Sequence, residues 1–66
     1  MNNTNWEKYK RVLHAVELGC NKASLIKERF GSNGVYIVKK LVLMGCVSYE
    51  KGNIYKKIQD LPFTNL

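Results

Sequence analysis

Residues that carry chemistry are scarce in this chain: one histidine, two cysteines, one proline and five acidic residues among 66 positions. A structural zinc site needs about four ligands at short spacing, and Cys20, Cys46 and His14 form no such motif. The two cysteines stand 26 positions apart, unlike the dense bridge pattern of small secreted folds, so reduced core thiols and a cytoplasmic setting are expected. The stretch Met1 to Asn5 is polar and lacks the basic lead-in and apolar core of a secretion signal. No stretch approaches the ~20 apolar residues that cross a bilayer, so no membrane association is expected. Five scattered acids, one histidine, no nucleophile motif and no glycine-rich phosphate loop leave no candidate for catalysis. The expectation is a protein that is not an enzyme, with no metal, cofactor or small-molecule ligand.

What is present describes a folded, basic domain. Apolar residues make up 45% of the chain and charged residues 24%, which is ordinary for a globular domain and too apolar for a disordered tail. The length fits one domain over residues 1–66, with a core over 5–58 and a C-terminal tail over 59–66. Eleven Lys and Arg give a net charge of +6, and residues 39–57 hold five lysines against one acid. Such a balance raises the local concentration of polyanions and speeds their capture, while saying nothing about fold.

The periodicity of the apolar residues divides the chain. Thr4 and Asn5 are good N-caps, and Trp6, Tyr9, Leu13 and Val16 recur at steps of three and four before Gly19, predicting a first helix near Asn5 to Leu18. Asn21 offers a second cap for a short helix near Lys22 to Phe30, with Ala23, Leu25, Ile26 and Phe30 as its apolar face. Gly31 stops that pattern, Ser32 offers a third cap, and a helix near Asn33 to Met44 runs up to Gly45. The period then changes to two. Val47 and Tyr49 alternate with Ser48 and Glu50, Lys51-Gly52-Asn53 supplies turn chemistry, and Ile54 to Ile58 is rich in β-branched and aromatic residues, predicting a hairpin near Val47 to Ile58. Pro62 ends the regular structure. Trp6, Tyr9 and Tyr49 are expected in the core, whereas for Tyr55 and Ile54 the turn register decides which faces inward.

Three stretches carry a family resemblance: the Asn21 cap with Leu25 four positions on, the Phe30-Gly31-Ser32 turn, and Val38-Lys39-Lys40-Leu41 leading to Gly45-Cys46-Val47. Over Asn21 to Ile58 the chain resembles the winged helix-turn-helix domains of small bacterial, archaeal and phage regulators. The resemblance implies an α+β fold of three helices with a C-terminal two-stranded β-hairpin as the wing, and sequence-specific binding of double-stranded DNA in transcription regulation. Members of that family usually carry extra helices for dimerisation, and none is expected within these 66 residues, which hold almost nothing beyond the core domain.

On helix three, Gly34, Val38, Leu41, Val42 and Gly45 share one side, with Val35 at its edge, and Asn33, Tyr36, Lys39, Lys40 and Leu43 share the other. The second set mixes an amide, a phenol, two ammonium groups and an apolar anchor, a mixture suited to base edges, phosphates and thymine methyls in a major groove. No acid lies between Asn33 and Cys46 to repel a phosphate. Ser32 opens this helix at the positive end of its dipole, a natural phosphate seat, and Gly34 is expected to let helix two approach closely. In the hairpin, Lys51, Lys56 and Lys57 either reach phosphate or guard an exposed edge strand. Asn21 and Lys22 at the start of helix two and Asn53 in the turn complete the expected contact set. A homodimer on DNA is expected, through the outer face of helix one and the tail Leu61 to Leu66, with half-sites about one helical turn apart. Two alternatives remain open at this level. One is a protein-interaction module using an apolar patch of Val35, Ile37, Leu43, Leu61, Phe63 and Leu66. The other is an RNA-binding domain.

Overall fold

A computed structural model describes residues 6–61. The expected caps Thr4 and Asn5, the end of regular structure expected at Pro62 and the tail residues Phe63 and Leu66 lie outside the described residues. Three helices precede a two-stranded antiparallel sheet, an α+β architecture: α1 Trp6–Glu17, α2 Ala23–Phe30, α3 Ser32–Leu43, β1 Val47–Glu50 and β2 Ile54–Lys57.

Helix α1 buries Val12, Leu13, Ala15 and Val16, and Trp6 and Tyr9 pack half-buried against the same core with ring centroids 4.9 Å apart. It ends in a Schellman motif: Cys20 N–H donates to the Ala15 carbonyl at 2.8 Å and Gly19 N–H to that of Val16 at 3.2 Å. The same pair of bonds closes α3, from Cys46 to Leu41 at 3.0 Å and from Gly45 to Val42 at 3.0 Å. Both motifs require a left-handed residue in the turn, supplied by Gly19 (φ 115°) and Gly45 (φ 83°).

Neither expected internal cap is used as such. Lys22, extended at φ −125° and ψ 150°, precedes α2 without any side-chain cap, and the Asn21 carbonyl instead accepts the Tyr55 N–H at 2.7 Å. That bond fastens β2 to the α1–α2 loop. Gly31, at φ 81°, separates α2 from α3, and Ser32 is the first residue of α3 rather than its cap. Of the apolar face expected on α2, only Ile26 is buried, while Ala23 and Leu25 are exposed and Phe30 is half-buried.

The core joins Val12, Leu13 and Val16 of α1, Ile26 of α2, Ile37, Val38 and Leu41 of α3, and Cys46, Val47, Tyr55 and Leu61. Ile37 and Leu61, expected in an exposed apolar patch, are thus core residues, Ile37 because α3 is covered by α1, α2 and β1 together. Gly34 is buried where α3 meets α2; a Cβ built there would overlap the Cβ of Phe30 and lie 3.3 Å from Ile26 Cγ2. The close approach expected at this glycine is present.

The hairpin register pairs Val47 with Lys57, Tyr49 with Tyr55 and Glu50 with Ile54. Gly52 (φ 88°) and Asn53 (φ 61°) reverse the chain. Val47, Tyr49, Tyr55 and Lys57 share one face, yet only Val47 and Tyr55 are buried. Tyr49, expected in the core, is 56% exposed near the tip, where its ring lies tilted at 46° to that of Tyr55 with centroids 4.8 Å apart and its hydroxyl donates to Asn53 Oδ1 at 2.8 Å. Burial raises the Tyr55 hydroxyl above its usual pKa, with the Tyr49 hydroxyl adding to the shift.

Cys20 and Cys46 are both free thiols, and Cys46 is buried, its Sγ 3.7 Å from the Asp60 carbonyl oxygen. Burial and then the Asp60 charge push this thiol above its usual pKa, as suits a packing residue and not a nucleophile. Among the described residues no helix is long and apolar enough to cross a membrane.

Lys57 closes the back of the fold. Its Nζ lies 2.7 Å from Asp60 Oδ1 and 3.4 Å from Glu17 Oε1, so one ammonium ties β2 to the end of α1 and to the segment leading to Leu61. The Asp60 hydrogen bond, first, and that of Glu17 raise the Lys57 pKa above the ordinary lysine value. A cation whose folded pKa is raised contributes stability that is fully present below the ordinary lysine range and is lost as pH climbs through the raised value. Lys57→Met should therefore melt below the parent chain at pH 7, and the difference should shrink as melts are repeated at increasing alkaline pH. Equal melting temperatures at pH 7 would show that the clasp contributes nothing.

Candidate nucleic-acid interface

The outward side of α3 is as its period predicts. Asn33, Tyr36, Lys39, Lys40 and Leu43 are all exposed, Tyr36 at 56% and Leu43 at 81%, while Gly34, Val38 and Leu41 point into the core and Val35 and Val42 are half-buried. Lys40 Nζ lies 5.6 Å from the centroid of the Tyr36 ring. This places the ammonium over an aromatic face, an attraction of about 0.5–1 kcal/mol at an exposed site. The two side chains, one turn apart, are thereby held as a unit without loss of charge. No acidic residue occurs anywhere in Ser32–Leu43, and no side chain caps the helix start.

The hairpin residues form a separate group. Asn21, Lys51, Lys56 and Lys57 border one open cleft of about 560 Å³ between the α1–α2 loop and β2, together with Glu17 and Glu50. Lys51 and Lys56 are exposed and stand on or beside β2, the strand that packs on α1, whereas β1 is the strand that packs on α3. Lys57 is not a free phosphate ligand, because Asp60 and Glu17 already hold its ammonium. Asn53 also has a structural duty, its side-chain oxygen accepting from Tyr49 while its backbone turns the hairpin. On β1, the Ser48 hydroxyl donates to Glu50 Oε2 at 2.7 Å, which occupies the hairpin's acid. Lys22 is exposed at the start of α2, and Asn21 is half-buried with its carbonyl engaged.

The sequence thus marks two cationic areas, and the structure keeps four of their members open: Lys39 and Lys40 on α3, Lys51 and Lys56 on the hairpin. Among the described residues no group of three or more His, Cys, Asp or Glu side chains is arranged to hold a metal. No match to this chain was found among protein-family models, curated proteins or solved structures.

Proposed function

We propose that this domain binds duplex DNA as a winged helix-turn-helix, with α3 as the recognition helix in the major groove and the hairpin as a wing on the flanking backbone, in the manner of a small transcription regulator. The observation that carries the reading is the acid-free outer face of α3, where Asn33, Tyr36, Lys39, Lys40 and Leu43 are exposed together on a helix held to α2 across the single break at Gly31. A helix laid in the major groove brings its first turns nearest the base edges, where Asn pairs in bidentate fashion with adenine. Asn33 and Tyr36 occupy those turns. Lysines contact phosphate without reading sequence.

Two classes of variant separate these roles. With a preferred site selected from a randomised duplex pool, Asn33→Ala and Tyr36→Ala should reduce the ratio of specific to random affinity by about 1–3 kcal/mol for a bidentate contact, leaving the salt dependence unchanged. Lys51→Ala and Lys56→Ala should weaken all sequences alike, each flattening the slope of log affinity against log salt by about 0.9. Lys57→Ala should not flatten it, because its charge is already spent within the fold. Fluorescence anisotropy over a salt series reads all five variants, and binding to single-stranded or duplex RNA in preference to DNA would redirect the proposal to RNA. The apolar patch of the protein-interaction alternative is reduced to Leu43 among fully exposed described residues, since Ile37 and Leu61 are buried and Val35 is half-buried.

A further inference from the structure

Five basic side chains play no part in the reading above: Lys8, Lys10 and Arg11 on α1, and Lys27 and Arg29 on α2. Three of them meet at one place. Lys8, Arg11, Arg29 and His14 rim an open groove of about 510 Å³ between the outer side of α1 and the C-terminal end of α2, and none of the side chains lining it is acidic. Its apolar lining is Ala15, Leu18 and Phe30. Leu18 is 72% exposed, the second most exposed large apolar residue among those described, after Leu43. The Arg29 guanidinium lies 5.7 Å from the centroid of the Phe30 ring, so its planar fork is held at the groove's edge. At the edge of the rim, His14 Nδ1 lies 3.9 Å from Glu17 Oε1, and Glu17 is shared with Lys57 on the other side of α1.

We infer that this groove docks an acidic protein segment carrying an apolar anchor, a leucine or phenylalanine flanked by Asp and Glu. Charge complementarity selects this occupant. A second copy of the chain would set Lys8, Arg11 and Arg29 against the same cations, and the chain as a whole carries +6. A phosphodiester backbone would satisfy the rim but leave Leu18 and Phe30 in water, and a flat bilayer surface does not enter a groove. An anchored acidic segment satisfies both parts at once. Its apolar side chain covers the apolar lining, and its carboxylates meet guanidinium groups, whose fork geometry suits bidentate carboxylate pairing. The groove shares no residue with α3 or the hairpin. A DNA-bound domain therefore retains a free face through which an acidic partner is recruited, and the inference stands or falls independently of DNA binding.

The test uses the whole chain, labelled with 15N, titrated with a synthetic fifteen-residue peptide of Asp and Glu around one central Phe. Saturable amide shifts should centre on residues 8, 11, 14, 15, 18, 29 and 30, and a Phe→Ser peptide should bind at least about fivefold more weakly. Arg11→Gln combined with Arg29→Gln should weaken peptide binding by about tenfold or more while the chain keeps its melting temperature and its slope of log affinity against log salt for duplex DNA. Leu18→Ser, a change at a largely exposed position, should weaken the Phe peptide and leave the Ser peptide unaffected. Equal binding of the two peptides, shifts centred on α3, or the same groove amides moving instead on addition of random duplex DNA or phosphatidylserine vesicles would each overturn the inference.

Discussion

Replacing Gly34 by alanine should destabilise the fold by about 1–3 kcal/mol, the usual cost of forcing extra atoms into a packed site. Helix propensity alone predicts the opposite, since alanine is favoured over glycine in a helix interior by about 1 kcal/mol. The geometry decides which effect wins. The added Cβ would overlap Phe30 Cβ and lie 3.2 Å from Phe30 Cγ and 3.3 Å from Ile26 Cγ2. A Cβ is fixed to its backbone, so no rotamer change at Phe30 relieves the overlap, and α2 must move off α3. That movement opens the packing around Ile26, the one fully buried side chain that α2 contributes. In a domain of this size each kcal/mol lowers the melting temperature by roughly 4–8 °C, and a small domain has little stability in reserve. Urea and thermal melts followed by circular dichroism should both shift downward. A Gly34→Ala chain melting at or above the parent temperature would mean that helix propensity outweighs the α2–α3 contact.

The order and extent of the five elements are legible in the sequence because helix and strand periods, and the glycines that punctuate them, are local properties. Gly19, Gly31 and Gly45 all take positive φ at helix ends. Cap identity is less legible. Asn21 and Ser32 have the side chains that caps favour, but the backbone reaches both helices through Lys22 and Gly31, and Asn21 is drawn instead into a bond with Tyr55, 34 positions on. Such long-range partners leave no periodic trace. The same holds for Lys57, which reads as one more wing lysine until Glu17, 40 positions away, and Asp60 are found around its ammonium. Tyr49 and Tyr55 show a third kind of limit. Alternation places both on the same face, but the tapering contact of a hairpin with its core leaves the residue nearer the tip in solvent. The outer face of α3 was readable because helical geometry alone separates Lys39 and Lys40 from Val38 and Leu41. The basic groove between α1 and α2 was not, since its cations come from distant positions and only the packing of two helices gathers them.

The double substitution Lys39→Ala with Lys40→Ala should remove much of the DNA affinity while leaving the fold intact. Both side chains are exposed and neither takes part in the core, so the melting temperature should change little beyond the loss of the Lys40–Tyr36 contact. Each phosphate neutralised by a lysine contributes about 0.9 to the slope of log affinity against log salt. By the same relation, two lost contacts at 0.1 M salt amount to an affinity loss of about 10- to 100-fold. The loss should be common to all duplex sequences, because ammonium groups on phosphate carry no sequence information.

The most direct measurement is a salt titration of equilibrium binding to random duplex DNA, with the parent chain and the Lys39→Ala, Lys40→Ala chain side by side. Four open cations, Lys39, Lys40, Lys51 and Lys56, predict a parent log–log slope of about −3 to −4, and loss of two of them predicts about −2 in the variant. A parent slope near zero, or a folded variant with the parent's affinity and slope, would contradict the placement of α3 against DNA.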